Sequence, residues 1–172
     1  MTHASLTIIL REHRALSAML RKITLLLDRH KRQNTLPDFG ALHAMLFRLE
    51  EFQEELQPNE RCLLFRSLRG HDASTDAVLE RLERDHAREG RSIRELEKAL
   101  ASFEMMSDTD QCDARRKKFE TSMTQYVDRC HEHMHIEENE VLPLAEMVLL
   151  PQDRPALDAA SLGNTSRRDR SH

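Results

Sequence analysis

Five residues in this chain combine metal-binding side chains with positions where an apolar residue is expected. Each lies in a helical pattern made mostly of Leu, Ile, Val, Met and Phe, and the five are His13, Glu60, His86, His133 and Glu137. An unpaired carboxylate in a protein core is costly, so a buried Glu needs a proton, a cationic partner or a metal ion. Imidazole and carboxylate together suit iron. The five residues are therefore candidate metal ligands.

His133 and Glu137 are the most informative pair of the five. They are four positions apart, so their side chains point the same way from one helix. Two simpler interpretations stay open: a single inward His is often just a hydrogen-bonded core residue, and Glu137 could join Glu138 and Glu140 in an acidic solvated face. Position 137 lies on the apolar stripe, however, whereas 138 and 140 lie beside it. Four other histidines are predicted to be structural or at the surface: His30, His43, His131 and His135.

Four helices are needed to position these residues. Apolar residues recur at spacings of three and four over about 5–31, 38–69, 73–106 and 111–149, and short breaker segments separate these stretches. Pro58 lies inside the second stretch and is predicted to bend that helix. Four long helices with short connections predict an all-α fold, an up-down-up-down four-helix bundle. A coiled-coil dimer is the competing architecture, but the breakers are too frequent for it.

Four of the candidate residues, one from each helix, also agree in height along such a bundle. His13 lies 8 residues after the start of the first helix, and Glu60 lies 9 residues before the end of the second. His86 follows the start of the third helix by 13 residues, and Glu137 precedes Leu150, near the end of the fourth, by 13. These helix ends share one side of an up-down bundle, so at 1.5 Å rise per residue all four residues fall in a slab about 8 Å thick.

Composition narrows the class of protein. The 172 residues suit one domain, predicted over 1–160, with a disordered Arg- and Ser-rich tail over 161–172. The net charge of −4 offers no case for nucleic-acid binding, and no apolar run approaches a membrane span. The three cysteines are odd in number and widely spaced, which is typical of reduced thiols. No signal peptide is visible, so a cytoplasmic location is expected.

Several stretches of the chain resemble the hemerythrin-like, or HHE cation-binding, domain family. They are the helix-one run around His13, the helix-three run 79–90, the helix-four run 133–146 and the closing stretch 150–160. The resemblance implies a bundle holding two oxo-bridged irons, in proteins that bind dioxygen, sense oxygen or iron, or act in nitrosative and oxidative stress. It assigns His13 as the helix-one ligand, Glu60 as the bridging carboxylate, His86 as a helix-three ligand, and His133 with Glu137 as the helix-four pair.

The chain departs from the family pattern in its second helix. That helix normally reads His-x-x-x-Glu, whereas this chain has Leu56 four positions before Glu60. The second His of helix three is also absent, because Gly90 follows His86 by one turn. Three outcomes stay open: two metal ions with water filling the gap, one ion held by His86, His133 and Glu137, or a degenerate site without metal.

The leading functional hypothesis is a cytoplasmic non-haem iron protein that binds or senses dioxygen, nitric oxide or iron, without a nucleic-acid or membrane partner. A homodimer is left open. The alternative is a metal-free bundle that serves as a structural or interaction protein, with Leu56 closing its core. An enzyme is the third hypothesis, but the sequence offers no separate nucleophile, phosphate loop or acid–base pair. Cys130 could be a redox thiol on the inward stripe, and core packing is the simpler role.

Overall fold

The computed structural model of this chain describes the backbone of residues 4–55 and 58–148, and the side chains of 6–54 and 63–148. Within those ranges the chain is all-α and contains no strand. The elements are α1 Ala4–Gln33, α2 Phe39–Glu55, α3 Pro58–Leu68, α4 Ala73–Met105, α5 Cys112–Ile136, a π-helical turn Glu137–Val141 and α6 Leu142–Val148. The all-α prediction is confirmed. The predicted tail 161–172 and the closing stretch 150–160 lie outside the described residues.

The helix boundaries follow from local sequence. Asn34 after α1 and Gly70 after α3 have φ of 50° and 82°, the left-handed conformation that ends helices and that Asn and Gly adopt most easily. Asp38 caps the start of α2 because its carboxylate accepts a hydrogen bond of 2.9 Å from the backbone N–H of Ala41.

The second predicted helix is divided at Pro58. Helix α2 ends at Glu55 and α3 begins at Pro58, a position where the missing proline N–H is not needed. Spacings of three and four continued from α2 through Glu60 predict that Leu63 and Ser67 point inward. This prediction is wrong, because Leu63 is only half-buried and Ser67 is exposed. The phase of α2 does not carry over into α3, which instead buries Leu64, Phe65 and Leu68. Leu56 and Gln57 lie outside the described residues.

The described residues form two compact units, and the candidate metal residues belong to the first. This unit comprises 4–14, 58–86 and 133–148 within the described ranges. Its core is a single apolar cluster from α1, α3, α4, α5, the π-helical turn and α6, made of Leu6, Ile9, Leu64, Phe65, Leu68, Leu79, Leu82, Ile136, Val141, Leu142 and Ala145. Burial of these side chains fixes the helix faces that carry the candidate ligands.

The second unit comprises residues 15–55 and 87–132. Its buried residues follow the predicted stripes closely, and they include Leu16, Leu20, Ile23, Leu42, Leu49, Ile93, Leu96, Leu100, Phe103, Phe119, Met123 and Tyr126. Cys130 is also buried here, with its thiol 3.7 Å from the carboxylate of Glu89. Burial and the neighbouring Glu89 raise the pKa of the Cys130 thiol to about 12. A thiol so far from its thiolate form fits core packing better than redox chemistry.

The chain from α5 to α6 is helical throughout but widens at Glu137–Val141. Ile136 before the π-helical turn and Leu142 after it both have right-handed helical dihedrals, and the Leu142 N–H donates to the Glu137 carbonyl. Pro143 favours such a widened turn, because its ring conflicts with the carbonyl four residues earlier. A regular helical spacing of three after Val141 predicts an inward Leu144. The extra residue moves the buried positions one step along the chain, so Ala145 is fully buried while Leu144 is half-buried.

Among the described residues, none of the helices is long and apolar enough to cross a membrane.

Candidate metal centre

The carboxylate of Glu137 is the point on which the candidate site converges. It is 1% exposed and begins the π-helical turn. One oxygen, Oε1, lies 3.6 Å from Nε2 of His133 and 3.8 Å from Nε2 of His86. The other oxygen, Oε2, lies 2.8 Å from Nε2 of His13, which is within hydrogen-bonding distance. Four of the five residues singled out in the sequence therefore meet at one buried carboxylate.

His86, His133 and Glu137 form the most compact ligand set. One donor atom from each lies within 4.8 Å of the other two. A metal ion with bonds of about 2.1 Å separates its donors by about 3 to 4 Å, so small side-chain movements suffice to enclose one. Two imidazoles and one carboxylate are a donor set that suits iron, and it is the composition of the facial triad. The residues that are present thus fit a non-haem metal ion.

The rings of Phe65 and His133 pack against the His86 ring. Phe65, which is 2% exposed, stacks against His86 with ring centroids 6.1 Å apart and an interplanar angle of 17°. His133 meets His86 edge-on at 4.5 Å. The His86 side chain keeps 28% of its surface accessible and that of His133 keeps 12%. The cluster is therefore anchored on an apolar core but is reached by solvent from the His86 side.

The sequence model of the hemerythrin HHE cation-binding domain matches residues 4–145 of the chain. The chain belongs to this family. Neither a curated protein nor a solved structure matches it. The match spans the four residues that converge at the Glu137 carboxylate, and the fold of the chain is therefore the predicted all-α hemerythrin-like helical bundle.

The helix-two position of this hemerythrin-like chain is described only in part. Glu60 belongs to α3, but its side chain lies outside the described residues, and so does Leu56, which stands where the family has a His. Glu60 therefore stays a predicted ligand. The helix-four pair behaves as its spacing predicted, because Nε2 of His133 and Oε1 of Glu137 lie on one face, 3.6 Å apart.

Sequence reasoning missed three residues that touch the site. Glu138 was placed beside the stripe, yet its Oε1 lies 2.8 Å from Nδ1 of His13. Asp85 places its Oδ2 3.7 Å from Nδ1 of His133. Phe65 was missed because the phase of α3 is independent of that of α2. The contact of Glu138 depends on the π-helical turn, which has no sequence signature beyond the downstream Pro143.

The helical period predicts the exposure of some neighbouring polar residues correctly and that of others wrongly. His131 and His135 are exposed, as their positions on the outer face predicted. His43 lies 3.0 Å from the carboxylate of Glu104 in the second unit, which agrees with a structural role. Glu12, by contrast, is 6% exposed although it lies next to the stripe rather than on it. A single period of 3.6 residues therefore understates how many acidic side chains are buried.

Proposed function

We propose that this member of the hemerythrin family is a non-haem iron protein that binds or senses a small diatomic ligand, dioxygen or nitric oxide, or senses iron itself. The observation that carries the proposal is the convergence of His13, His86 and His133 on the buried carboxylate of Glu137. A carboxylate that is 1% exposed requires positive charge or hydrogen-bond donors around it. Three imidazoles and a family defined by cation binding together favour a metal ion.

The two oxygens of Glu137 suggest how many ions the site can hold. Oε1 faces His86 and His133, whereas Oε2 faces His13. The first group is a complete three-residue set for one ion. A second ion would need His13, the other Glu137 oxygen and Glu60, and it would lack the helix-two His that Leu56 replaces. We therefore propose a well-held first ion and a weaker second position.

The sparse ligand set also favours small-ligand binding. Three protein donors leave a six-coordinate iron with open positions, and such iron supplies diatomic-ligand binding and redox chemistry when bound. The chain's own residues contribute the rest: Phe65 orients His86, and the apolar core beside it limits water at Glu137. The side of His86, with 28% of its side chain accessible, gives a route for a ligand that is two atoms long.

The remaining parts of the proposal rest on composition. A net charge of −4 argues against a nucleic-acid partner, and the sequence favours a cytoplasmic location and action without a membrane partner. The exposed apolar side chains include Phe47 at 56% and Leu25 at 53%, which leaves homodimer formation open to measurement. Sedimentation of the purified chain at several concentrations tests that point.

Anaerobic reconstitution tests the central proposal. Metal-free protein is loaded with ferrous iron, the bound iron is quantified, and optical spectra are recorded with azide and with nitric oxide. We expect at least one tightly bound ion per chain and a ligand-dependent charge-transfer band. Iron content far below one ion per chain, without such a band, would overturn the proposal and favour the metal-free structural bundle.

A substitution at Leu56 tests the second ion position. We expect Leu56→His to raise the iron content toward two ions per chain, because it restores the imidazole that the family has at this position. Leu56→Asn is a matched control, since it adds a polar side chain without an imidazole. Equal iron content in both variants and the parent chain would contradict the second position.

A further inference from the structure

His13 is held between two carboxylates. Its Nε2 lies 2.8 Å from Oε2 of Glu137, and its Nδ1 lies 2.8 Å from Oε1 of Glu138. The imidazole is 3% exposed and Glu137 is 1% exposed, so the inner half of this arrangement is buried. The side chain of Glu138 is 40% exposed, yet it reaches inward to the ring. Both ring nitrogens of His13 are thus in contact with a specific partner.

The π-helical turn explains how two consecutive carboxylates reach one imidazole. Successive residues of a helix normally point in well-separated directions, so neighbours in sequence do not share a partner. A π-helical turn rotates each residue through a smaller angle because it contains more residues per turn. Glu137 and Glu138 are the first two residues of such a turn. The widened helix therefore brings Glu138 to the side on which Glu137 meets His13.

This geometry resembles the hydrogen bonding that orients a metal-ligating histidine in proteins. A ligating imidazole usually donates its other N–H to a carboxylate, which fixes the tautomer and ring orientation and makes the ligating nitrogen a better donor. His133 shows a looser version of the same arrangement, with Nε2 toward Glu137 and Nδ1 3.7 Å from Asp85. In both cases the inner nitrogen faces Glu137 and the outer nitrogen faces a different acid.

We propose that Glu138 is a positioning residue of the metal centre, which accepts a hydrogen bond from Nδ1 of His13 and thereby aims Nε2 at the position shared with Glu137. The proposal rests on the proposed function, since it concerns metal binding. The alternative is that Glu138 is an ordinary surface acid whose contact with His13 contributes nothing to the metal. Glu140 allows the two to be separated, because it lies on the same turn, carries the same charge and is exposed.

The experiment compares matched substitutions at Glu138 and Glu140. Anaerobic competition between the protein and a chelator measures ferrous iron affinity for the parent chain, Glu138→Ala, Glu138→Gln, Glu140→Ala and Glu140→Gln. We expect Glu138→Ala to weaken binding of the second ion, the one that His13 would hold, by about 10- to 100-fold, as is typical when an outer partner of a metal-ligating His is removed. Glu138→Gln should recover most of that loss, because its amide oxygen still accepts from Nδ1. Both Glu140 variants should bind like the parent chain.

A second readout follows His13 directly. Nitrogen NMR of the zinc-loaded protein, which is diamagnetic, reports whether Nδ1 of His13 carries the hydrogen. We expect the Nδ1–H form in the parent chain and in Glu138→Gln, and a mixture of states in Glu138→Ala. A merely structural contribution of Glu138 would change melting temperature without changing this signal.

The outcomes separate the two proposals. If the parent chain takes up no iron, the proposed function fails and the role of Glu138 fails with it. If the parent chain binds iron but takes up no second ion, or if Glu138→Ala binds the second ion as tightly as Glu140→Ala does, only the role of Glu138 is overturned. Equal losses in Glu138→Gln and Glu140→Gln would also overturn it, because net charge rather than the hydrogen bond would then control affinity.

Discussion

Replacing Glu137 with Ala should show how much of the stability of the first unit depends on the candidate metal centre. In the metal-free protein, this change removes the hydrogen bond to His13 and leaves His86 and His133 facing an empty space. A hydrogen bond to a charged group contributes about 1.5 to 3 kcal/mol, and the buried methylene lost with it contributes about 0.8 kcal/mol. The total is about 3 kcal/mol.

Thermal melting followed by circular dichroism measures this loss. For a chain of this size, 3 kcal/mol corresponds to a fall in melting temperature of about 6 to 12 °C. The melts are run in chelator and in excess ferrous iron under anaerobic conditions. Iron at about 100 times its dissociation constant should stabilise the parent chain by about 2.7 kcal/mol. It should leave Glu137→Ala unchanged, because both imidazoles of the first ion position have lost their shared carboxylate.

Two results would refute this reasoning about Glu137. A melting temperature in chelator that matches the parent chain would mean that the carboxylate is not the centre of a stabilising network. An undiminished iron-induced rise in Glu137→Ala would mean that the ion binds elsewhere. Glu140→Ala is the control for the loss of one acidic group from this helical turn, and it should follow the parent chain in both melts.

Three further predictions concern positions outside the candidate ligand set. Gly90→Ala should raise the melting temperature by about 2 to 4 °C, because an Ala in mid-helix is favoured by up to about 1 kcal/mol and the nearest atom to an added Cβ is 4.0 Å away. Cys130 should react with iodoacetamide at pH 8 far more slowly than the half-buried Cys112, because burial and Glu89 raise the pKa of its thiol to about 12; peptide mass spectrometry measures the two rates. Asp72→Ala should lower the melting temperature, because the Asp72 carboxylate accepts a hydrogen bond of 2.8 Å from the Thr75 N–H at the start of α4.

The Asp72 effect should also depend on pH in a defined direction. Its hydrogen bonds from Thr75 hold the pKa of this carboxyl below the ordinary value of 3.8. The native state therefore favours the ionised form, and its stabilisation is fully present above pH 3.8 and declines as pH falls through the lowered folded-state pKa. The gap in melting temperature between the parent chain and Asp72→Ala should narrow over that acidic range. A gap that is constant with pH would contradict the assignment.

The predictions for Gly90 and Cys130 would each be contradicted by a specific result. A lower melting temperature in Gly90→Ala would mean that this site needs the backbone freedom of glycine. Modification of Cys130 as fast as that of Cys112 would mean that the second unit opens often enough to expose its core. In that case native-state hydrogen exchange in the surrounding helices should also be fast.

Much of the helical architecture could be predicted from periodicity. The stripes that contain Leu20, Leu82 and Phe119 are buried as predicted, because a helix can bury only one face and the apolar residues mark that face. The same logic placed His13, His133 and Glu137 inward. It failed beyond Pro58, because the side chains that α3 buries do not continue the spacing of those that α2 buries.

The sequence by itself determined the chemistry available to this protein: inward imidazoles, an inward carboxylate four residues after one of them, and the family to which these belong. Only the tertiary structure decided which imidazole lies at which carboxylate oxygen. It placed His86 and His133 at one oxygen of Glu137 and His13 at the other, and it brought Glu138 to the outer nitrogen of His13. The reason is that a helical period specifies a direction from one axis, whereas a metal centre depends on distances between side chains of different helices and on a local widening that the period does not contain.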